Sequence, residues 1–321
     1  MQADEAGARL EAVAEGIHRF DTRYIRARHT SSLIVVADGR AAIFDCGVPA
    51  NVEALVAAVG ALGVAPDAVD YLIASHAHLD HMAGLGALAR HLPAARIAAH
   101  PSAAPHLADP SKLVKGARAL FGEAFFDREY GTIEPVPAER IVETADEEVL
   151  VLGSRELLLL HTPGHAWHHQ SLLDIRSRTV LAADAFGVSY PELVGPDGPF
   201  AIPTTAPPQL APAEMHASID RLVGLSPRRV LPTHFAPIDR PEPVAEDLHR
   251  MLDDWLQLAR QADSAEDLRE RLGDACAAEL ERRGRGDEAA TMREAYALDL
   301  WLNSEGLWYW RQRQEQRASA S

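Results

Sequence analysis

The stretch His76-Ala-His78-Leu-Asp80-His81 places four metal-type ligands within six residues, directly after the apolar run Tyr71-Leu-Ile-Ala-Ser75. That order constrains the fold more than any other feature of the chain. An apolar strand that ends in a loop can aim several side chains at one point. His76 and His78 lie two apart and share a face of an extended backbone. Asp80 and His81 fall where a helix is expected to start, and so turn toward a second point nearby. Imidazole and carboxylate at this density suit zinc, iron or manganese.

The flanking pattern is that of an α/β protein. Strands are expected over residues 14–20, 32–36 and 41–45, with a hairpin signal at Asp38-Gly39. Residues 51–62 have helical apolar spacing and stop at Gly63. A buried strand at 71–75, a helix at 82–91 and a strand at 96–99 follow. Residues 101–135 read as helical, with Phe121, Phe125, Phe126 and Tyr130 at helix-like spacing. Packing into the core is the first reading of that aromatic group, and a roof over the ligand cluster is the second. Strands resume at 140–142, 149–152, 156–161, 171–175 and 179–183. Residues 185–208 read as a long Pro/Gly-rich loop, 212–224 as a helix with Pro212 in its first turn, and 229–232 as a last short strand. From about 243 the pattern is helical, with a capping-type start at Ser264-Ala-Glu-Asp267. Two sheets with helices outside and a helical tail is the expected architecture.

Three later segments each place a ligand where a buried run breaks: His161-Thr-Pro-Gly-His165, Leu181-Ala-Ala-Asp184 and Val230-Leu-Pro-Thr-His234. Loops on a rigid scaffold commonly carry function. His76, His78, Asp80, His81, His165, Asp184 and His234 are too many donors for one tetrahedral ion. They suit two ions if a carboxylate bridges them, and Asp184 is the natural bridge.

His-x-His-x-Asp-His, a Thr-Pro-Gly-His, an isolated strand-end Asp and a late Thr-His, in that order, resemble the metallo-β-lactamase superfamily. Asp45, in Phe44-Asp45-Cys46-Gly47, resembles that family's first motif, an acid close to the metals. The resemblance covers roughly residues 14–240. It implies a four-layer αβ/βα sandwich, with residues 1–240 as the catalytic domain and 241–321 as a helical C-terminal extension. It further implies one metal held by His76, His78 and His165, and a second held by Asp80, His81 and His234, with Asp184 bridging. The cofactor expected is a pair of divalent ions, zinc first, with iron or manganese as alternatives. Within the family the chain looks most similar to the glyoxalase II-like and lactonase-like branches. It departs from lactonases that carry a Tyr three residues after the bridging Asp, since that position is Gly187. The nearest tyrosine, Tyr190, is the candidate hydrogen-bond donor to a substrate carbonyl or oxyanion. The Gly/Cys-rich segment of many glyoxalase II enzymes is also absent.

The activity implied is hydrolysis of an ester, thioester or lactone carbonyl by a bridging hydroxide, with Asp80 shuttling a proton. The alternative is a mononuclear iron dioxygenase acting on sulfur compounds. Composition narrows the substrate to a small molecule. The formal net charge is −16 and no basic stripe is visible, which argues against nucleic acid. No run approaches the ~20 apolar residues of a membrane span. The N-terminal segment is acidic where a secretory signal would be basic and then apolar, so a cytoplasmic protein is expected. Cys46 and Cys276 are the two cysteines, neither in a CxxC pair, and Cys46 is read as a small buried residue rather than a nucleophile. Of the adjacent His168 and His169, one is expected to support a ligand and the other to be exposed. His100 and His216 are read as structural, and His161 as lying at its strand end without touching metal. Trp301, Trp308 and Trp310 are expected to anchor helices to the main domain or to a second subunit, compatible with a homodimer.

Overall fold

The computed structural model describes residues 7–320, so the acidic segment 1–6 lies outside the described residues. The chain forms two compact units. One holds the described residues through His161, with His168–Ala183 and Thr233–Phe235. The other holds Thr162–Trp167, Asp184–Pro232 and the described residues from Ala236 onward.

The first unit contains a seven-stranded sheet in sequential order: β1 (Leu10–Ala14), β2 (Ile17–Asp21), β3 (Ser31–Ala37), β4 (Arg40–Phe44), β5 (Val69–Ala74), β6 (Arg96–Ala99) and β7 (Ile141–Glu143). The strand expected over 14–20 is in fact two. Gly16 (φ +65°) turns the chain between β1 and β2, with Ala14 opposite Ile17. The Asp38-Gly39 hairpin forms as expected. Both residues take positive φ and Ala37 pairs with Arg40, the backbone that joins two antiparallel strands with matching twist. From β4 to β7 the pairing is parallel, so helices must cross between strands. They are α1 (Val52–Ala61), α2 (Leu79–Met82), α3 (Leu85–His91), α4 (Ala104–Ala108), α5 (Ser111–Phe121) and α6 (Glu123–Glu129).

One face of this sheet (Ile34, Ile43, Leu72, Ile97) forms a single core with Leu55, Val59, Leu88 and Phe126 from those helices. Its parallel strands are buried on both faces, which is why 71–74 reads as a continuous apolar run. A second sheet in the same unit runs β11 (Thr179–Ala183), β10 (Gln170–Asp174), β9 (Arg155–His161), β8 (Val149–Leu152), all antiparallel. Polar ties join the two sheets. Gln170 Nε2 donates to the Ala74 carbonyl at 2.8 Å, and Arg155 donates to the Glu15 carbonyl at 2.6 Å.

The second unit contains the hairpin β12 (Val188–Gly195) and β13 (Gly198–Ile202), helix α7 (Pro212–Gly224), strand β14 (Arg229–Pro232), and helices α8 (Pro241–Gln261), α9 (Ala265–Arg282), α10 (Ala289–Ala295) and α11 (Ala297–Ala320). The hairpin corrects the expected 185–208 loop. Its turn, Gly195-Pro-Asp-Gly198, is a hairpin signal flanked by Leu-Val and Phe-Ala-Ile, and the neighbouring prolines obscure it. Helix starts fall as expected. Pro212 opens α7, and the Ser264 hydroxyl accepts from the Asp267 N–H at 3.1 Å ahead of α9. Among the described residues no helix is long and apolar enough to cross a membrane.

Candidate metal centre

In the first unit, β5 ends at Ala74 and the chain passes through Ser75–His78 as a loop before α2. His76 and His78 pack ring to ring (centroids 4.5 Å), as do His76 and His81 (4.2 Å) and His81 and His234 (5.5 Å). Asp80, His81 and His234 each direct a ligand atom into one group within 4.8 Å. Asp80 Oδ2 stands 3.4 Å from both His81 Nε2 and His234 Nε2. In the second unit, the same 3.4 Å separates His165 Nε2 from Asp184 Oδ2.

The ring tautomers are set from behind. His81 Nδ1 donates to Asp45 Oδ2 at 2.8 Å. Ser75 Oγ donates to the same carboxylate oxygen at 3.0 Å and therefore accepts from His76 Nδ1 at 2.9 Å. His165 Nδ1 donates to the Thr204 carbonyl at 3.1 Å. In all three rings these contacts put the proton on Nδ1 and the lone pair on Nε2, the usual tautomer of metal-bound histidine. Asp45 also accepts from the Ser75 N–H (2.9 Å) and from Thr233 Oγ1 (3.1 Å). One buried carboxylate thus holds segments 75–76, 81 and 233–234 in register.

The backbone is bent to serve these positions. Asp45 (φ +59°) and Ala183 (φ +46°), the residue before Asp184, both occupy the left-handed region, at a cost of about 1 kcal/mol or more each. Gly164 (φ +135°) precedes His165, and a Cβ there would run into the Met215 backbone, so only glycine lets α7 close on this loop.

Other expected residues take different places. Tyr190 is fully buried on β12, and its one hydroxyl proton goes to Asp299 on α11 at 3.0 Å. It ties the hairpin to the C-terminal helices rather than facing a substrate. His168 and His169 are both buried, so neither is the exposed member of the pair. His168 Nδ1 accepts from the Ala77 N–H at 3.2 Å, and the His169 ring packs 5.0 Å from His76. Cys46 is buried with its thiol pushed well up by burial, which suits a packing residue. Phe126 and Tyr130 belong to the core, and the Tyr130 hydroxyl meets that of Tyr24 at 2.5 Å. Burial raises both phenols well above their ordinary values, and the Asp80 carboxylate reinforces the shift. Trp308 and Trp310 pack under the guanidinium groups of Arg311 and Arg260 within the C-terminal helices. Ser75, Thr233 and Thr204 position ligands and were missed. Their only signal is adjacency to a ligand or to a Pro-rich break.

The half-buried His100 packs against His161, with ring centroids 4.3 Å apart and planes tilted by 49°. Burial first, and then the neighbouring imidazole, lower its pKa from 6.5 to about 4. The unfolded chain therefore binds a proton between pH 6.5 and 4 that the folded chain refuses, and stability falls as the pH drops through that window. Screening of a half-buried ring limits the loss to about 1 kcal/mol. Urea midpoints at about pH 7 and about pH 4.5, on either side of most of that window, should show it, and His100→Gln should flatten that part of the slope.

The metallo-beta-lactamase superfamily model matches residues 25–234. The chain belongs to the metallo-beta-lactamase superfamily. It is 27% identical over 190 residues to the metallo-beta-lactamase fold-containing protein ST1585 of Sulfurisphaera tokodaii, covering 58% of this chain and 67% of that one. It is 26% identical over 157 residues to the uncharacterized protein YobT of Bacillus subtilis, covering 48% of this chain and 60% of that one. The fold superposes on a metallo-beta-lactamase family protein of Thermus thermophilus with a TM-score of 0.66 at 19% identity, over 95% of each chain. It also superposes on the Rm3 metallo-beta-lactamase with a TM-score of 0.53 at 21% identity, over 77% of this chain and 93% of that one. These likenesses confirm the expected αβ/βα fold with a helical C-terminal region. Members of this superfamily are mostly metal-dependent hydrolases, and the His/Asp groups of this chain are able to hold a metal ion.

Proposed function

We propose that the protein is a dinuclear metal-dependent hydrolase of esters, thioesters or lactones. His76, His78, Asp80, His81 and His234 would act with the His165–Asp184 pair as ligands to two divalent cations, and Asp184 would be shared between them. The donor spacing carries this reading. Two donors ~2.1 Å from one tetrahedral ion stand ~3.4 Å apart. That is the separation of Asp80 Oδ2 from His81 Nε2 and His234 Nε2, and of His165 Nε2 from Asp184 Oδ2. It exceeds the 2.8 Å of the true hydrogen bond at Asp45, so these pairs are spaced as ligands rather than as hydrogen-bonded partners.

When bound, such a cation pair polarises a carbonyl and makes a water acidic enough to attack near neutral pH. The chain's own residues orient the imidazoles through Asp45, Ser75 and Thr204. Asp80 is the more exposed carboxylate at 21% of its side chain, against 7% for Asp184, and so is the one placed to accept the water proton and return it to the leaving oxygen or sulfur. The net charge of −16 disfavours phosphodiesters by repulsion.

A panel of p-nitrophenyl esters, thioesters, lactones and a phosphodiester on the zinc-reconstituted protein tests the reading. The expected result is turnover of one carbonyl class, none of the phosphodiester, and two metals per chain. One redox-active iron per chain with consumption of dioxygen would replace hydrolysis by the dioxygenase reading.

A further inference from the structure

Within the second unit, His216 on α7 and His249 on α8 meet edge to edge (centroids 4.9 Å, planes 19° apart) with their Nδ1 atoms 2.6 Å apart. Each ring uses its other nitrogen on a carboxylate from the opposite helix. His216 Nε2 meets Asp253 Oδ1 at 3.2 Å, and His249 Nε2 meets Asp220 Oδ1 at 2.9 Å. The sequence carries the unit twice, His216-x3-Asp220 and His249-x3-Asp253, and that spacing puts both residues of each unit on one helix face. The pairing of 216 with 253 and of 220 with 249 is the register of two antiparallel helices.

The carboxylates fix the tautomer. An ionised carboxylate only accepts, so the proton of each neutral ring resides on Nε2. Both Nδ1 lone pairs then point at each other. Two lone pairs at this distance need a cation between them, either a shared proton or a metal ion. The outer carboxylates match those that orient and enrich metal-bound imidazoles. Both rings are about a quarter exposed, which leaves room for water in the remaining coordination positions.

We propose that His216 and His249 form a second metal site, binding one borderline divalent transition cation (Zn2+, Ni2+ or Cu2+) through their Nδ1 atoms, with Asp253 and Asp220 holding the rings. Nitrogen donors choose these ions over Mg2+ or Ca2+. Two nitrogens around one tetrahedral ion stand ~3.4 Å apart, so binding opens the pair by under about 1 Å. The ion clasps α7 to α8, and its binding free energy adds to the stability of the helical unit. The site is independent of the cluster at residues 76–81 and of any reading of its chemistry.

The test compares untagged wild-type protein with His249→Ala and His249→Gln, stripped by chelator and dialysed against micromolar free Zn2+. Elemental analysis should find one zinc per chain more in the wild type than in either variant. Zinc should raise the melting temperature of the wild type by several degrees more than that of the variants, and Mg2+ should not. Asp220→Asn/Asp253→Asn should retain the site with zinc affinity weakened ~10–100-fold. Equal zinc content in wild type and His249→Gln would overturn the proposal and leave the pair holding only a proton. If His249→Ala does not fold, His249→Gln and the Asp220→Asn/Asp253→Asn variant decide alone, since the imidazole contacts are then replaced or kept at similar volume.

Discussion

Asp184→Ala is expected to reduce hydrolysis ~10³-fold or more and to lower bound metal, with the fold retained. Asp184 follows β11, is buried, and holds Oδ2 3.4 Å from His165 Nε2. Its segment is anchored independently of its carboxylate, because Thr204 Oγ1 donates to the Asp184 backbone carbonyl at 2.8 Å. Losing the side chain therefore removes charge from the proposed ligand set without releasing the backbone. A carboxylate shared by two ions is worth several kcal/mol of charge stabilisation, and each ~1.4 kcal/mol is a factor of ten in rate. Asp184→Asn separates charge from shape: it keeps the volume and one acceptor oxygen, and should still lose most of the activity. Steady-state rates and elemental analysis on both variants check this. Turnover at the wild-type level in Asp184→Ala would remove Asp184 from the reaction and end the two-ion reading.

Much of the candidate centre was legible because its spacing is local. His76, His78, Asp80 and His81 sit at a strand end, and two-residue and five-residue offsets are readable without knowing the fold. His165, Asp184 and His234 stood out because each interrupts a buried run beside Pro, Gly or a turn. What holds these ligands was not legible. Ser75 and Thr233 are ordinary hydroxyls in the sequence, and their shared partner Asp45 lies 30 and 188 positions away. Only closure of the fold makes one carboxylate common to them. Tyr190 was misread for the same reason. Proline content made 185–208 look like loop, and a loop tyrosine beside a ligand invites a catalytic role. Pairing of β12 with β13 and the docking of Asp299 turn the same residue into core. The two His-x3-Asp units were readable one helix at a time, but their meeting depends on helix register, which no local pattern encodes.

Asp45 carries the largest expected effect on stability, and in the proposed metal centre it is also expected to set metal affinity. It accepts four hydrogen bonds, from Ser75 N, Ser75 Oγ, His81 Nδ1 and Thr233 Oγ1, at 4% exposure. Truncation strands these donors in the interior, where an unsatisfied buried group costs about 1–3 kcal/mol and a broken buried charged pair about 3–5 kcal/mol. Alanine at this positive-φ position adds about 1 kcal/mol of backbone cost that asparagine largely avoids. Asp45→Ala is accordingly expected to lose about 4–5 kcal/mol in urea unfolding of the metal-free protein. Asp45→Asn keeps the backbone and one acceptor, so its loss should be smaller. His81 Nδ1, Ser75 Oγ and Thr233 Oγ1 all meet Oδ2, so an amide oxygen there leaves the NH2 group against the Ser75 N–H, and the flipped amide sets the NH2 group against the other three donors. Neither orientation reproduces the carboxylate, the negative charge that holds the His81 and Ser75 protons is lost in both, and zinc affinity should fall ~10–100-fold. Ser75→Ala cuts only the relay to His76 and should cost about 1 kcal/mol, with a correspondingly smaller change in affinity. If one carboxylate organises both imidazoles, urea midpoints and zinc competition should show the greatest loss in Asp45→Ala, less in Asp45→Asn and least in Ser75→Ala. Wild-type zinc affinity in Asp45→Asn would show that the rings are held by their own packing, and that the hydrogen bonds to Asp45 serve the fold alone.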